Sequence, residues 1–189
     1  MQVARGVQQE TDNNYSNDSI GNANALSLFV DGAHRTATVQ GTLVAQENSN
    51  TDEDYFALGL LSAGNTVELS TRLPSNNTLQ PYVTLRDASG AIIPDEDGNP
   101  WDGQVLVTLP EDGEYYARVE TLSVYNDHVY LLTESTGNWS SVEAQAVEMG
   151  GHLVTIDDAA EQAWITEHFA PMGNLWIGAS DAASEGTFL

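Results

Sequence analysis

The chain has 189 residues, which is enough for one large domain or two small ones that each bury a core. It carries 28 acidic and only 5 basic side chains, for a formal net charge of −23. That charge repels phosphate backbones and anionic membranes, so nucleic-acid binding is excluded as a function class. There is no cysteine, which excludes disulfides, thiolate zinc sites and cysteine nucleophiles.

The acidity leaves two interpretations open. Carboxylate oxygens are the ligands that calcium prefers, but the same charge could simply keep an exported protein soluble. No apolar run approaches the eighteen or so residues that span a membrane, so membrane insertion is not predicted. The first residues, MQVARGVQQETDNN, lack the apolar core of a signal peptide, and we expect any export signal to lie upstream or to have been removed.

The N-terminal two thirds of the chain predict an antiparallel β-sandwich or barrel. Residues 1–24 are polar and rich in Asn, which favours a tether with fixed contacts. Short β-type runs separated by turn residues then follow to about residue 120, namely ALSLFV, TATVQGTLV, DYFALGL, NTVELSTRL, PYVTLRDA, GQVLVTL and EYYARVE. Several short strands at such regular spacing are typical of a sandwich. The acidic loop PDEDGNPWDG (94–103) lacks the EF-hand spacing and is predicted to be a hairpin loop.

The composition shifts to helix, strand and helix after about residue 125. Ser140 or Ser141 can cap a first helix that has Val142, Ala146 and Met149 on one side, and Gly150 can close it in the left-handed conformation. Residues 152–156 alternate and predict a short strand. A capping-box spacing starts a second helix, whose apolar side has four members, and a further strand is expected at 175–178. The capping pair is Asp158 and Glu161. The four apolar residues are Ala160, Ala163, Trp164 and Phe169.

The first part resembles the bacterial pre-peptidase C-terminal domain, a secreted β-sandwich. The motifs ETDNN with GNAN, DEDYFAL, SAGNTVEL, LRDASGAI and EDGEYYARV carry the resemblance in this order. It implies a domain over residues 1–125. Some members of that family bind calcium where the N-terminal acidic segment meets a D-x-D-Y turn, although they often carry a glutamate where this chain has Gln8. The matching positions are Glu10, Asp12, Asn13, Asp52, Asp54 and the backbone near Tyr55.

The second part resembles the N-terminal half of a C-type lectin-like domain, over residues 126–189. The motifs HVYLLTESTGNWSSVEAQA, GGHLVTI, DDAAEQAWI and LWIGASDAASEGTF carry this resemblance. It implies an α+β fold in which Trp176 and Ile177 are core residues. The triplets and the W-N-D strand that form the sugar site of that family do not occur in the sequence, so no carbohydrate-binding residue is assigned.

No catalytic motif is found, and we predict that the chain is not an enzyme. His34, His128, His152 and His168 form no metal-binding spacing, and neither a G-x-S-x-G elbow nor a P-loop is present. The two resemblances together imply a piece of a secreted or cell-surface bacterial protein that binds glycans, or another extracellular surface, with the help of calcium. The alternatives are an accessory domain of a secreted peptidase or other hydrolase, and a structural adhesin spacer.

Overall fold

The structure is a computed structural model. It describes residues 6–12, 16–43, 52–75, 79–99, 102–133, 137–169 and 173–179. The chain divides into two compact units, Met1–Leu122 and Ser123–Leu189. The predicted boundary after residue 125 therefore lies inside the second unit.

The first unit consists of strands and one short 3-10 helix, Ile20–Asn22. Its strands are β1 (Val7–Gln9), β2 (Asn24–Ala25), β3 (Phe29–Asp31), β4 (His34–Thr36), β5 (Thr38–Gln40), β6 (Asp54–Leu61), β7 (Thr66–Ser70), β8 (Pro81–Asp87), β9 (Ile92–Ile93), β10 (Gln104–Thr108) and β11 (Gly113–Thr121). The predicted run ALSLFV is divided between β2 and β3. The runs DYFALGL, PYVTLRDA, GQVLVTL and EYYARVE form the strands β6, β8, β10 and β11 nearly as predicted.

Two sheets enclose the core of this unit. One has the order β2-β6-β11-β8-β9, and the other pairs β7 with β10. All pairings in these two sheets are antiparallel except that of β2 with β6. Buried apolar side chains from both sheets form one cluster, as expected for a sandwich. Its members are Phe56, Val67, Val83, Leu85, Val105, Val107, Leu109, Tyr115 and Ala117.

Side-chain amides hold the N-terminal segment against the first unit. β1 pairs in parallel with β5. The amide of Gln8 donates to the carbonyl of Ala25 (2.8 Å) and accepts from the N–H of Ser27 (2.9 Å). Asn24 forms the same kind of two-bond contact with the backbone of Thr11. The segment thus has the fixed contacts that its polar sequence predicts.

The loop after β9 is not the predicted hairpin, because β9 pairs with β8 and β10 pairs with β7. The loop instead leads from one sheet to the other. Its carboxylates accept backbone N–H groups of β10, Asp95 from Leu106 (3.2 Å) and Glu96 from Thr108 (2.6 Å). These bonds use donors that would otherwise be exposed at the strand edge.

The second unit contains a hairpin of β12 (Ser123–Tyr125) and β13 (His128–Tyr130), followed by helices α1 (Trp139–Glu148) and α2 (Ala159–Phe169). Both residues of the hairpin turn, Asn126 and Asp127, have positive φ, as a type I′ turn requires. Among the described residues, neither helix is long and apolar enough to cross a membrane.

The capping residue of α1 differs from the prediction. Asn138, and not Ser140 or Ser141, is the N-cap, and its side chain accepts from the N–H of Ser141 (3.0 Å). Asn binds these free N–H groups as well as Ser does, so the pattern SS alone did not identify the cap. At the other end, Gly150 has a φ of 83°, which confirms the predicted left-handed closure.

The predicted strand at 152–156 does not form, and neither does the one at 175–178. The two segments share a backbone bond from Gly178 N–H to the carbonyl of Val154 (2.7 Å). Other backbone amides of the first segment are bonded to carboxylates: Leu153 donates to Glu143 (2.9 Å) and Asp157 donates to Glu161 (2.7 Å).

Two further expectations for the second unit are wrong. Trp176 and Ile177 are 54% and 39% exposed, so they are not core residues. Their segment is held by indole bonds, from Trp176 to the carbonyl of Gly137 and from Trp139 to the carbonyl of Ile177. The α2 side chains that are buried are Glu161, Ile165 and Phe169, whereas Ala160 and Ala163 are exposed.

The capping of α2 agrees only in part with the predicted capping box. Asp158 accepts from the N–H of Glu161 (2.8 Å), as predicted. The Glu161 carboxylate, however, accepts from Asp157 one residue before the cap. Trp164 stacks with Tyr125 and with His168, at ring-centroid distances of 5.1 and 4.3 Å.

We expect Leu85→Ala to lower the free energy of unfolding of the first unit by about 2–5 kcal/mol, because the side chain is completely buried and its removal leaves a cavity. Urea denaturation followed by far-UV circular dichroism measures the change. Leu60→Ala is the matched control, since Leu60 is 76% exposed and its loss should cost less than about 0.5 kcal/mol. Equal effects would contradict the position of the core.

Candidate functional site

The predicted metal-ligating residues lie where the N-terminal segment meets the start of β6. Asp52 and Asp54 are 2% and 3% exposed. Glu10 is half-buried, and it contributes a hydrogen bond and a negative charge to the environment of Asp54. Asp12 accepts from the N–H of Ser16 (2.8 Å). Asn13 lies outside the described residues.

Asn17, which the sequence analysis did not select, is the fully buried centre of this cluster. Its amide nitrogen donates to Asp54 Oδ1 (2.9 Å) and to Glu10 Oε1 (3.3 Å). Its backbone carbonyl accepts from the N–H of Tyr55 (3.0 Å). Its side-chain oxygen has no hydrogen-bond partner among the described residues, and an unsatisfied buried oxygen costs free energy.

Asp18 follows Asn17 and was also missed. Its Oδ1 atom is buried and has no hydrogen-bond partner among the residues that the structure describes. The only available signal was the dipeptide Asn-Asp within an Asn-rich stretch. Such a stretch is ordinarily solvated, so this signal had no specificity.

Burial and mutual repulsion raise the pKa values of two carboxyl groups in the cluster. For Asp54 the main cause is burial, followed by the hydrogen bond and charge of Glu10 and then the charge of Asp52. For Asp18 the causes are burial and then the charges of Glu53 and Asp12. Burial and the neighbouring carboxylates thus both disfavour the charged forms of Asp54 and Asp18.

The backbone around the cluster leaves little freedom to Glu10. Its Oε2 atom accepts from the N–H of Thr42 (2.8 Å). Gly41 lies so close to this carboxylate that a Cβ atom at that position would overlap with it. The Glu10 side chain is therefore held in place by the loop after β5. Gln8 forms hydrogen bonds with backbone groups. The amide that stands where the resembling family often has a glutamate therefore helps to attach β1.

No three acidic or histidine side chains within the described ranges are arranged to hold a metal ion as they stand. The oxygen atoms that are suited to bind a hard cation are a mixed set from carboxylates and amides. Among them, Asn17 Oδ1 and Asp18 Oδ1 are buried and have no hydrogen-bond partner among the described residues. Calcium binds six to eight such oxygens in flexible geometry. The chemistry of the residues present therefore fits calcium.

A second group of buried polar side chains lies on β11. It includes a contact with Glu53, the residue between Asp52 and Asp54. Arg118 Nη2 donates to Glu53 Oε1 (3.2 Å) and to Glu120 Oε2 (3.0 Å). Glu120 is 5% exposed. Burial raises the pKa of Glu120, although the charge of Arg118 and the hydrogen bond of Tyr82 oppose this shift.

The chain was compared with known proteins, and neither a family model nor a solved structure matches it. It is 34% identical to C-type lectin domain family 6 member A of Mus musculus over 62 residues, which are 33% of this chain and 30% of that protein. It is 32% identical to a perlucin-like protein of Mytilus galloprovincialis over 66 residues, 33% of the chain and 42% of the relative. It is also 30% identical to CD209 antigen-like protein D of Mus musculus over 64 residues, 34% of the chain and 27% of the relative.

The chain thus spans less than half the length of each of these curated relatives. None of them supports the resemblance of the first part to the pre-peptidase C-terminal domain, which stays a prediction. The three likenesses support a C-type lectin-like region within the chain.

The raised pKa of Glu120 predicts a pH dependence of stability. The folded chain keeps this proton to higher pH than the unfolded chain, whose pKa is near 4.5. The contribution of Glu120 to stability therefore falls as the pH rises above 4.5 and levels off above the folded-state pKa. In Glu120→Gln we expect the difference in unfolding free energy, variant minus wild type, to increase between pH 4.5 and about 7.

Urea denaturation at several pH values measures this difference. Glu68→Gln is the control, because Glu68 is exposed on β7 and its removal should leave the slope unchanged. Parallel pH profiles for wild type and Glu120→Gln would contradict the buried environment of Glu120.

Proposed function

We propose that the chain is part of a non-catalytic extracellular binding or adhesion protein. Calcium stabilises its first unit by attaching the N-terminal segment to β6, and its C-type lectin-like region serves the recognition of a glycan. The observation that carries the calcium proposal is Asn17, a fully buried amide among carboxylates whose oxygen lacks a hydrogen-bond partner among the described residues.

Calcium would resolve two energetic problems of the cluster at once. The ion would satisfy the buried oxygens of Asn17 and Asp18, and it would neutralise the repulsion among Glu10, Asp52 and Asp54. These residues come from two segments that are far apart in sequence. A cation bound by both segments stabilises the folded form, because the unfolded chain does not bring them together.

The glycan part of the proposal is supported by the relative whose name describes a C-type lectin domain. A fold does not fix a ligand, so a protein surface is the competing partner. The proposal concerns the whole protein that contains these residues. The accessory-domain and spacer functions stay predictions.

We expect calcium to raise the thermal unfolding midpoint of the first unit, and magnesium at equal concentration to raise it less. Mg²⁺ demands a stricter octahedral geometry and loses its water reluctantly. Scanning calorimetry in EDTA and across a calcium titration measures the midpoint. Equal responses to the two ions would reduce the effect to charge screening and contradict the proposal.

Asp54→Asn and Asp52→Asn should each remove most of this calcium response. The asparagine side chain introduced by Asp54→Asn keeps an oxygen that can accept from Asn17, so the variant should remain folded in EDTA. Asp97→Asn is the matched control, because Asp97 is an exposed loop acid whose Oδ1 accepts a local N–H, that of Asn99. A variant of Asp54 that still responds like wild type would exclude this cluster as the site.

A glycan array probed with the complete protein, in calcium and in EDTA, tests the second half of the proposal. We expect binding to at least one class of glycan, stronger in calcium. The absence of binding to any glycan under both conditions would reject glycan recognition. Calcium-dependent stability of the first unit would not be affected by that result.

A further inference from the structure

We infer that Arg118 is a positioning residue of the proposed calcium site. It holds Glu53 and Tyr55 from the opposite side of β6, so that Asp52 and Asp54 face the N-terminal segment. This inference rests on the proposed function and extends it to Arg118, whose side chain has no oxygen with which to bind the ion.

Arg118 contacts both neighbours of Asp54. Its Nη2 atom donates to Glu53 Oε1 at 3.2 Å. Its guanidinium carbon lies 5.8 Å from the centre of the Tyr55 ring, within the range of a cation–π contact. The β11–β6 register places Arg118 directly opposite Tyr55. The side chain is 9% exposed, so these contacts are largely desolvated.

Because side chains alternate in direction along an extended chain, these contacts determine where the side chain of Asp54 points. Successive side chains of a strand point to opposite faces. When Glu53 and Tyr55 are held on the Arg118 face, Asp54 must point to the other face, where Asn17 donates to it at 2.9 Å. The backbone N–H of Tyr55 also bonds to Asn17, so this orientation reaches the proposed ligand directly.

Arg118 also fixes a second carboxylate beside Glu53. Glu120 shares the same guanidinium at 3.0 Å. A fork of planar donors can hold two carboxylates in fixed positions, which an ammonium group does less well.

Positioning and simple electrostatics predict opposite signs for Arg118→Gln. Loss of a positive charge near the site should strengthen calcium binding if charge alone mattered. If Arg118 positions the site, its loss should weaken calcium binding by about tenfold or more, as outer-shell substitutions at metal sites do. Isothermal titration of the full chain with calcium measures the dissociation constant.

Arg35→Gln is the matched control, because it removes the same charge from exposed strand β4 and should change the constant by less than about twofold. Arg118→Lys keeps the charge but loses the fork, and we expect an intermediate loss of affinity. If Arg118→Gln does not fold, the calcium affinity of Arg118→Lys tests the inference in its place. Unchanged or tighter calcium binding in both Arg118 variants would overturn the inference.

A measurement without metal separates this inference from the proposed function. In EDTA, hydrogen exchange of the Tyr55 amide reports its bond to Asn17 (3.0 Å). Arg118→Gln should accelerate this exchange, whereas Arg35→Gln should not. If wild type binds no calcium, the proposed function fails, and the exchange result still shows whether Arg118 orders residues 53–55. Exchange at the wild-type rate would overturn the positioning role.

Discussion

The first unit depends on the attachment of its N-terminal segment by side-chain amides. Gln8, Asn17 and Asn24 each offer a donor and an acceptor in one planar group, as a peptide bond does. Gln8 and Asn24 use both atoms on backbone groups of the segment and its neighbours. Asn17 uses its donor on two carboxylates and leaves its oxygen without a hydrogen-bond partner among the described residues. This difference is the reason why we propose Asn17 as a binding position.

The buried carboxylates around Asn17 are costly for the folded chain in the absence of a cation. Desolvation raises the pKa of Asp54, and proximity to other carboxylates raises it further. Apolar burial in the sandwich core has to offset this cost, because the transfer of a carboxylate from water into the protein interior costs free energy. A protein that retains such a cluster for stability alone would be better served by apolar side chains. The arrangement is therefore better explained by binding than by folding.

Much of the sandwich could be predicted, because period-2 patterns in β6, β8, β10 and β11 report which face is buried. The connection between the two sheets could not be predicted, since residues 94–99 have an ordinary turn composition. The pairings of β9 with β8 and of β10 with β7 show that these residues lead from one sheet to the other. Asp52 and Asp54 were found through a motif. Asn17 was not, because its burial results from contacts between segments 37 residues apart, which no local pattern encodes.

The same limit explains the errors in the second unit. Glu143 and Glu161 look like solvated helix positions, and a chain with 28 acidic residues has many of these. In the structure they accept the N–H groups of Leu153 and Asp157 and so hold the segment between the two helices. Net charge therefore cannot separate surface acids from structural acceptors or from metal ligands. Individual oxygen atoms differ in the donors that they find: Glu143 and Glu161 accept backbone N–H groups, whereas Asp18 keeps a buried oxygen without a hydrogen-bond partner among the described residues. A cation is the partner whose chemistry fits that oxygen.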